Sequence, residues 1–237
     1  FEDTDCVPFE DVVLGSEPLG SGSYKRVWAA TRLSRPGERF AYVEFTGTPD
    51  KDTLSIFHSE YTILSKLSHR NIISVRGRVE RKGYLAFLTD RCDVSLYQLL
   101  KQEKQEKQEK LKESSMISIA RQLAEGLVYL HSQRLIHRDL KSANVMLNIP
   151  DQTCLEVKVI DFGFAKLMRS SRSCLSSSTQ KGVGTPNYMA PESFDLCGGE
   201  RSIDLELAFD HVSAKTDIWA FGCLLVELFG GVIPWSG

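Results

Sequence analysis

The spacing of apolar residues changes character near residue 94, and that change limits the chain to a two-part α+β fold. Residues 11–50 alternate short apolar runs with Gly, Pro and charged residues, the pattern of strands joined by tight turns. The stretch "KDTLSIFHSEYTILSKL" then sets Leu54, Phe57, Tyr61 and Leu64 at steps of three and four, which predicts one amphipathic helix. Two more strand candidates follow it, "NIISVRGRV" and "YLAFLT". From Ser95 the period is helical. Met116, Ala120, Leu123, Leu127 and Leu130 predict a long helix with one buried stripe.

With 237 residues, 42% hydrophobic, the chain is large enough for one substantial domain or two lobes around a cleft. A net charge of -2 gives no support for a nucleic-acid partner. Six scattered cysteines without C-x-x-C spacing read as reduced thiols of an intracellular, cytoplasmic protein. The start at Phe1 carries no basic, apolar leader, so the chain is expected to be a fragment. The apolar run "IWAFGCLLVELFGGVIPW" is broken by Glu227, Gly230, Gly231 and Pro234, which predicts a buried core helix and no membrane segment. The repeat "KQEKQEKQEK" offers the favourable pairs Glu103–Lys107 and Glu106–Lys110, worth roughly 0.3–0.5 kcal/mol each, and has no apolar seam. It reads as a solvated helical extension, and "RSSRSCLSSSTQ" as a mobile loop.

Three short segments carry chemistry. "HRDLKSANVML" places Asp139, Lys141 and Asn144 within six positions, just after the long helix. "VIDFGFAK" puts Asp161 at the end of a β-branched run, and "GTPNYMAPE" follows the serine-rich stretch. An isolated "DFG" reads as a simple turn, but the three segments in this order leave little room for coincidence.

With these segments the sequence resembles the eukaryotic protein kinases across nearly its whole length. The resemblance implies a bilobal α+β kinase fold: residues 1–93 as a β-rich N-lobe and hinge with one main helix, residues 94–237 as a mostly helical C-lobe lacking its final helices. It implies that Asp139 orients the substrate hydroxyl and accepts its proton, and that Asn144 and Asp161 hold magnesium at the phosphates of ATP. Glu60 matches the glutamate of the kinase αC helix; taken alone it reads as a solvated helix-face charge. Gly20 and Gly22 match the glycine loop, Val27 the valine covering the base, Ala41 the alanine of V-A-I-K, and Thr89, Asp90 and Cys92 the hinge. Asp217 matches the aspartate that braces the catalytic loop. Lys141 and "GTPNYMAPE" resemble the serine/threonine-directed version, with a protein as phosphate acceptor, and "HRDLKSANVML" is similar to tyrosine-kinase-like serine/threonine kinases.

One residue of the pattern is missing. Where the family carries its phosphate lysine on the third strand, "FAYVEF" has Val43, or Glu44 if shifted by one, and neither binds a phosphate. Two readings follow. The fold is that of a pseudokinase, kept as a scaffold, or another lysine does the work. Lys25 stands two residues before Val27, so both side chains leave the strand on one face. Strands lie only about 4.8 Å apart, and a lysine is a point charge on a flexible stem. The pair "GSGSYK" and "FAYVEF" resembles the with-no-lysine (WNK) kinases, whose phosphate lysine sits on the second strand. Intact Asp139, Asn144 and Asp161 favour the relocated lysine. Phe162 stands where those kinases typically have leucine, so the resemblance leaves chloride sensing open. "CGGERSIDLELAFDHV" reads as a surface insertion, and phosphorylation within Ser176–Thr179 is expected to engage Arg138.

Overall fold

The computed structural model describes residues 6–22, 24–46, 50–106, 111–151, 154–167, 184–194 and 213–235. They fall into two compact units that divide between Cys92 and Asp93.

Among its described residues the first unit is a six-stranded sheet with one α-helix, α1 (Lys51–Leu64). Its strands are β1 (Cys6–Pro8), β2 (Val12–Ser21), β3 (Lys25–Arg32), β4 (Arg35–Phe45), β5 (Val75–Arg81) and β6 (Tyr84–Asp90), in the order β1-β5-β6-β4-β3-β2. Register decides which side chains share a face. Lys25 lies opposite Phe45, Val27 opposite Val43 and Ala29 opposite Ala41. Val43 in turn faces Phe87, and Ala41 faces Thr89. This face is covered by α1, whose Phe57 meets Phe45 edge-on with ring centroids 5.2 Å apart. Asp50 starts the helix by accepting from the Thr53 N–H at 2.8 Å.

The opposite face buries Val7, Val12, Ala30, Phe40, Tyr42, Val79, Ala86 and Leu88, with Phe9 and Trp28 packed against them. Strand β1, parallel to β5, was not expected from the sequence. A strand of three residues is too short to show alternation, and its support is tertiary: Val7 is 2% exposed in the core. The expected strand at Asn71 begins instead at Val75. Ile72 and Ile73 are buried without belonging to the sheet, so an apolar run there reads as a strand without being one.

In the second unit α2 (Leu96–Glu106) leads into α3 (Glu113–Ser132), and α5 (Ala214–Gly230) follows the four-residue α4 (Pro191–Phe194). Between them run β7 (Val94–Ser95), β8 (Leu135–Ile136), β9 (Val145–Asp151), β10 (Cys154–Val159) and β11 (Lys166–Leu167). Strands β10, β9 and β7 form one sheet and β11 pairs with β8. On α3 the buried stripe is Ile119, Leu123, Gly126, Leu127 and Leu130. Met116 and Ala120 are only half-buried, so the stripe is turned slightly from the expected one. Each fully buried leucine contributes about 1.5–3 kcal/mol.

Helix α5 is a core helix that buries one face and leaves another exposed. Ala220, Cys223, Leu224 and Leu228 face inward, while Ile218, Val226 and Phe229 are exposed. Gly231 ends it with φ at 68°, a left-handed turn that returns its N–H to the Glu227 carbonyl. No helix among the described residues is long and apolar enough to cross a membrane. Cys6, Cys92 and Cys223 are thiols. Helix α2 reaches into the Lys-Gln-Glu repeat, with Lys101 and Gln102 exposed. Residues 107–110, the serine-rich stretch from 168 and the expected insertion lie outside the described residues.

Asp11 fastens the N-terminal segment to the β3–β4 turn, accepting from the Ser34 N–H at 2.7 Å, the Ser34 hydroxyl at 2.6 Å and Arg32 Nε at 2.7 Å. The Ser34 bonds, then Arg32, hold its carboxyl down at about 2. A lowered folded pKa contributes stability above the unfolded value, lost as pH falls through the folded one. Asp11→Asn therefore lowers stability at neutral pH. The gap to wild type closes as pH drops from about 4 to about 2, measured by denaturant unfolding followed through tryptophan fluorescence.

Candidate active site

Lys25 opens β3, and its side chain leaves the sheet on the α1 face. Its Nζ lies 2.7 Å from Glu60 Oε1 and 2.5 Å from Oε2. Glu60 comes from the buried stripe of α1, three residues after Phe57 and four before Leu64. It is 2% exposed, so the solvated-charge reading of this residue is overturned. A carboxylate on an apolar helix face needs a cation to offset its desolvation, and Lys25 supplies one. Val43 is Val27's partner in the register and adds no charge to this face; Glu44 points the other way, accepting weakly from Trp28 Nε1 at 3.4 Å.

In the second unit the chain between β8 and β9 carries Asp139, Lys141 and Asn144. Arg138 holds a left-handed φ of 69° there. That conformation costs about 1–2 kcal/mol for a residue with a Cβ. Asp217, 1% exposed near the start of α5, offsets it. Its carboxylate accepts from the His137 N–H at 2.9 Å, the Arg138 N–H at 3.0 Å and His131 Nε2 at 2.9 Å. Hydrogen bonds to a charged group contribute about 1.5–3 kcal/mol each, so the carboxylate wins. Burial lowers the Arg138 pKa, and Asp217 works against that shift.

His137 is fully buried and locked at both ring nitrogens. Nε2 faces the Ile160 carbonyl at 2.9 Å and so carries the hydrogen; Nδ1 accepts from the Asp139 N–H at 3.3 Å. Phe162 packs edge-on against this ring at 5.0 Å.

Three side chains converge on the Asp139 carboxylate. Oδ2 accepts from Lys141 Nζ at 2.7 Å and Asn144 Nδ2 at 3.1 Å, and Oδ1 from the Thr185 hydroxyl at 3.0 Å. Lys141 also reaches Thr185 Oγ1 at 2.8 Å. Thr185 is the site residue that sequence reasoning did not single out, although it stands in the quoted "GTPNYMAPE". Gly184 lets it approach: φ is 127°, and a Cβ there would meet the Arg138 carbonyl at 3.2 Å. Behind this cluster Glu227 is buried, accepting from Ser142 Oγ at 2.9 Å and Tyr188 Oη at 2.5 Å. Burial and then Glu227 push the Tyr188 phenol well above its usual range, which keeps it a donor.

The β9–β10 pairing brings two oxygen donors to one end of a hairpin. Val145 pairs with Val159, and the Ile160 N–H continues the ladder to the Asn144 carbonyl at 3.0 Å. Asp161 follows with φ at 64°, a conformation aspartate tolerates. Asn144 Nδ2 donates to both the Asp139 carbonyl at 2.8 Å and its carboxylate, so the amide is oriented and its oxygen points elsewhere. An amide oxygen and a carboxylate are hard donors suited to Mg²⁺, which takes one or two protein ligands and completes its shell from phosphates and water. No group of three or more His, Cys, Asp or Glu converges among the described residues, so the pair fits magnesium better than a self-contained metal cage.

Of the other expected residues, Val27, Ala41 and Thr89 share the Lys25 face. Asp90 does not: its carboxylate takes Arg76 Nε at 2.5 Å and its N–H goes to the Ser74 carbonyl. Gly20 and Gly22 have open space where a Cβ would stand. Cys92 is half-buried at the end of the first unit.

A family model described as "Protein kinase domain" matches residues 15–237. Serine/threonine-protein kinase TIO of Arabidopsis thaliana is 33% identical over 220 residues, covering 92% of this chain and 14% of that protein. Serine/threonine-protein kinase 36 of Pongo abelii is 32% identical over 219 residues, covering 92% of this chain and 15% of that protein. Mitogen-activated protein kinase kinase kinase 15 of Mus musculus is 33% identical over 213 residues, covering 89% and 14%. The chain thus spans about one seventh of these relatives.

Asp217→Ala leaves two buried backbone N–H groups without their acceptor at about 1–3 kcal/mol each. The expected loss in urea unfolding is about 2–5 kcal/mol, with Asp217→Asn losing less because one oxygen remains.

Proposed function

The chain belongs to the protein kinase family, and on that premise we propose that it is an ATP- and magnesium-dependent serine/threonine kinase. It moves the γ-phosphate of ATP to a protein hydroxyl. The observation that carries this reading is the Lys25–Glu60 pair. An ammonium held by a buried carboxylate is a cation positioned in advance, and phosphoryl transfer depends mainly on positioning and charge neutralisation. Lys25 takes the phosphate-binding role that Val43 leaves empty.

The other roles follow from the contacts. Asp139 orients the acceptor hydroxyl and takes its proton. Lys141 and Thr185 hold that carboxylate, and Lys141 places positive charge beside it. Asn144 and Asp161 hold magnesium, which when bound neutralises phosphate charge. Gly20 and Gly22 let the loop close on the phosphates; Val27, Ala41, Thr89, Cys92 and the backbone of Asp90 receive the base. We place the protein in the cytoplasm, on its scattered thiols. Phosphate on Ser176–Thr179 would answer the half-buried charge of Arg138. Mass spectrometry of an active preparation should find that segment modified; an unmodified segment removes this regulation.

The scaffold alternative rests on Val43. Magnesium-dependent ATP turnover by the full-length protein separates the two. Lys25→Met is expected to lose about 10²-fold or more in kcat/KM, the scale for removing one key electrostatic contact. The same change strands Glu60, so Lys25→Met/Glu60→Gln is measured beside it and should be equally impaired while folding well. A folded, inert wild type overturns the reading; full activity without Lys25 overturns the role given to that lysine.

A further inference from the structure

We infer that Phe45 is a positioning residue for Lys25, its ring holding the ammonium where the phosphates meet it. This rests on the reading of Lys25 as the phosphate lysine. The two residues are direct cross-strand partners in the β3–β4 register. Lys25 Nζ stands 5.4 Å from the centroid of the Phe45 ring, within the range where the ring quadrupole attracts a cation.

Phe45 is itself fixed. It is 4% exposed, edge-on to Phe57 at 5.2 Å and tilted against Phe87 at 6.0 Å. Phe57 lies one turn before Glu60 on α1, on the same buried stripe. A closed circuit results: Lys25 to Glu60, along the helix to Phe57, across to Phe45, and back through the strand pair. The ring and the carboxylate therefore fix the ammonium from two elements at once. Chemically the ring differs from any polar neighbour. It stabilises the positive charge without taking one of the three N–H donors of the ammonium, so none is withdrawn from the carboxylate or from a phosphate.

The test keeps ring volume nearly constant and changes only the quadrupole. Phe45 is replaced by mono-, tri- and pentafluorophenylalanine in the full-length protein, with Phe45→Tyr as the conservative control. ATP dissociation constants, kcat, KM for ATP and thermal midpoints are measured for each. ATP affinity is expected to fall stepwise with fluorination, about tenfold at the pentafluoro ring. KM should rise more than kcat falls, Phe45→Tyr should stay near wild type, and the series should be flat in a Lys25→Met background. A flat series in the wild-type background, with Lys25→Met still impaired, overturns the role of Phe45 and leaves that of Lys25 standing. Full activity of Lys25→Met removes both.

Discussion

The second unit depends on one buried carboxylate. Asp217 enters from helix α5 and accepts the backbone N–H groups of His137 and Arg138. Without it, a left-handed arginine in the middle of the segment that carries Asp139 has little reason to persist. With it, the backbone turns so that Asp139 faces Lys141, Asn144 and Thr185. The acceptor is rigid because it belongs to a seventeen-residue helix whose own face is packed inward. Precision at Asp139 is thus inherited from helix packing rather than made locally by the loop.

Two further anchors repeat this logic at other points of the same segment. His137 spends both ring nitrogens on backbone groups, tying the segment to Ile160, next to Asp161. Ser142 hands its hydroxyl to Glu227, and Tyr188 reaches the same carboxylate from the segment that carries Thr185. Each is a buried polar group with its partners in place, which is costly to break and specifies a single arrangement. Most of this polar burial serves to fix the position of the Asp139 carboxylate and its partners.

What the sequence makes legible follows from how local the cause is. The strand-rich first part, the amphipathic α1 and the long α3 were readable because periodicity is a property of neighbouring residues. That Asp139, Lys141 and Asn144 stand together was readable because they fall within six positions of one segment. Thr185 was not singled out, since its contact with Asp139 joins residues 46 apart. Strand β1 was missed because a three-residue strand shows no period and is held by Val7 and Phe9 in a core built mainly from distant strands. Glu60 shows the subtler case. Its place on the apolar stripe of α1 is visible in the spacing from Phe57 and Leu64. Whether a carboxylate there is buried depends on a cation from another element, which spacing cannot supply.

On the proposed reading of Lys25, that dependence explains how a phosphate lysine can change strands. A phosphate-binding ammonium must leave the correct face of the sheet, meet a buried carboxylate, and be held against a rigid surface. The strand that carries it matters less, because antiparallel partners lie within one side-chain length of each other. Lys25 meets the first condition by its parity with Val27 and the second through Glu60. Phe45 and Phe57 meet the third. Val43 then loses the need to be charged and becomes a packing residue between Val27 and Phe87. The constraint lies on the point in space where the ammonium stands, and two adjacent strands offer two routes to it.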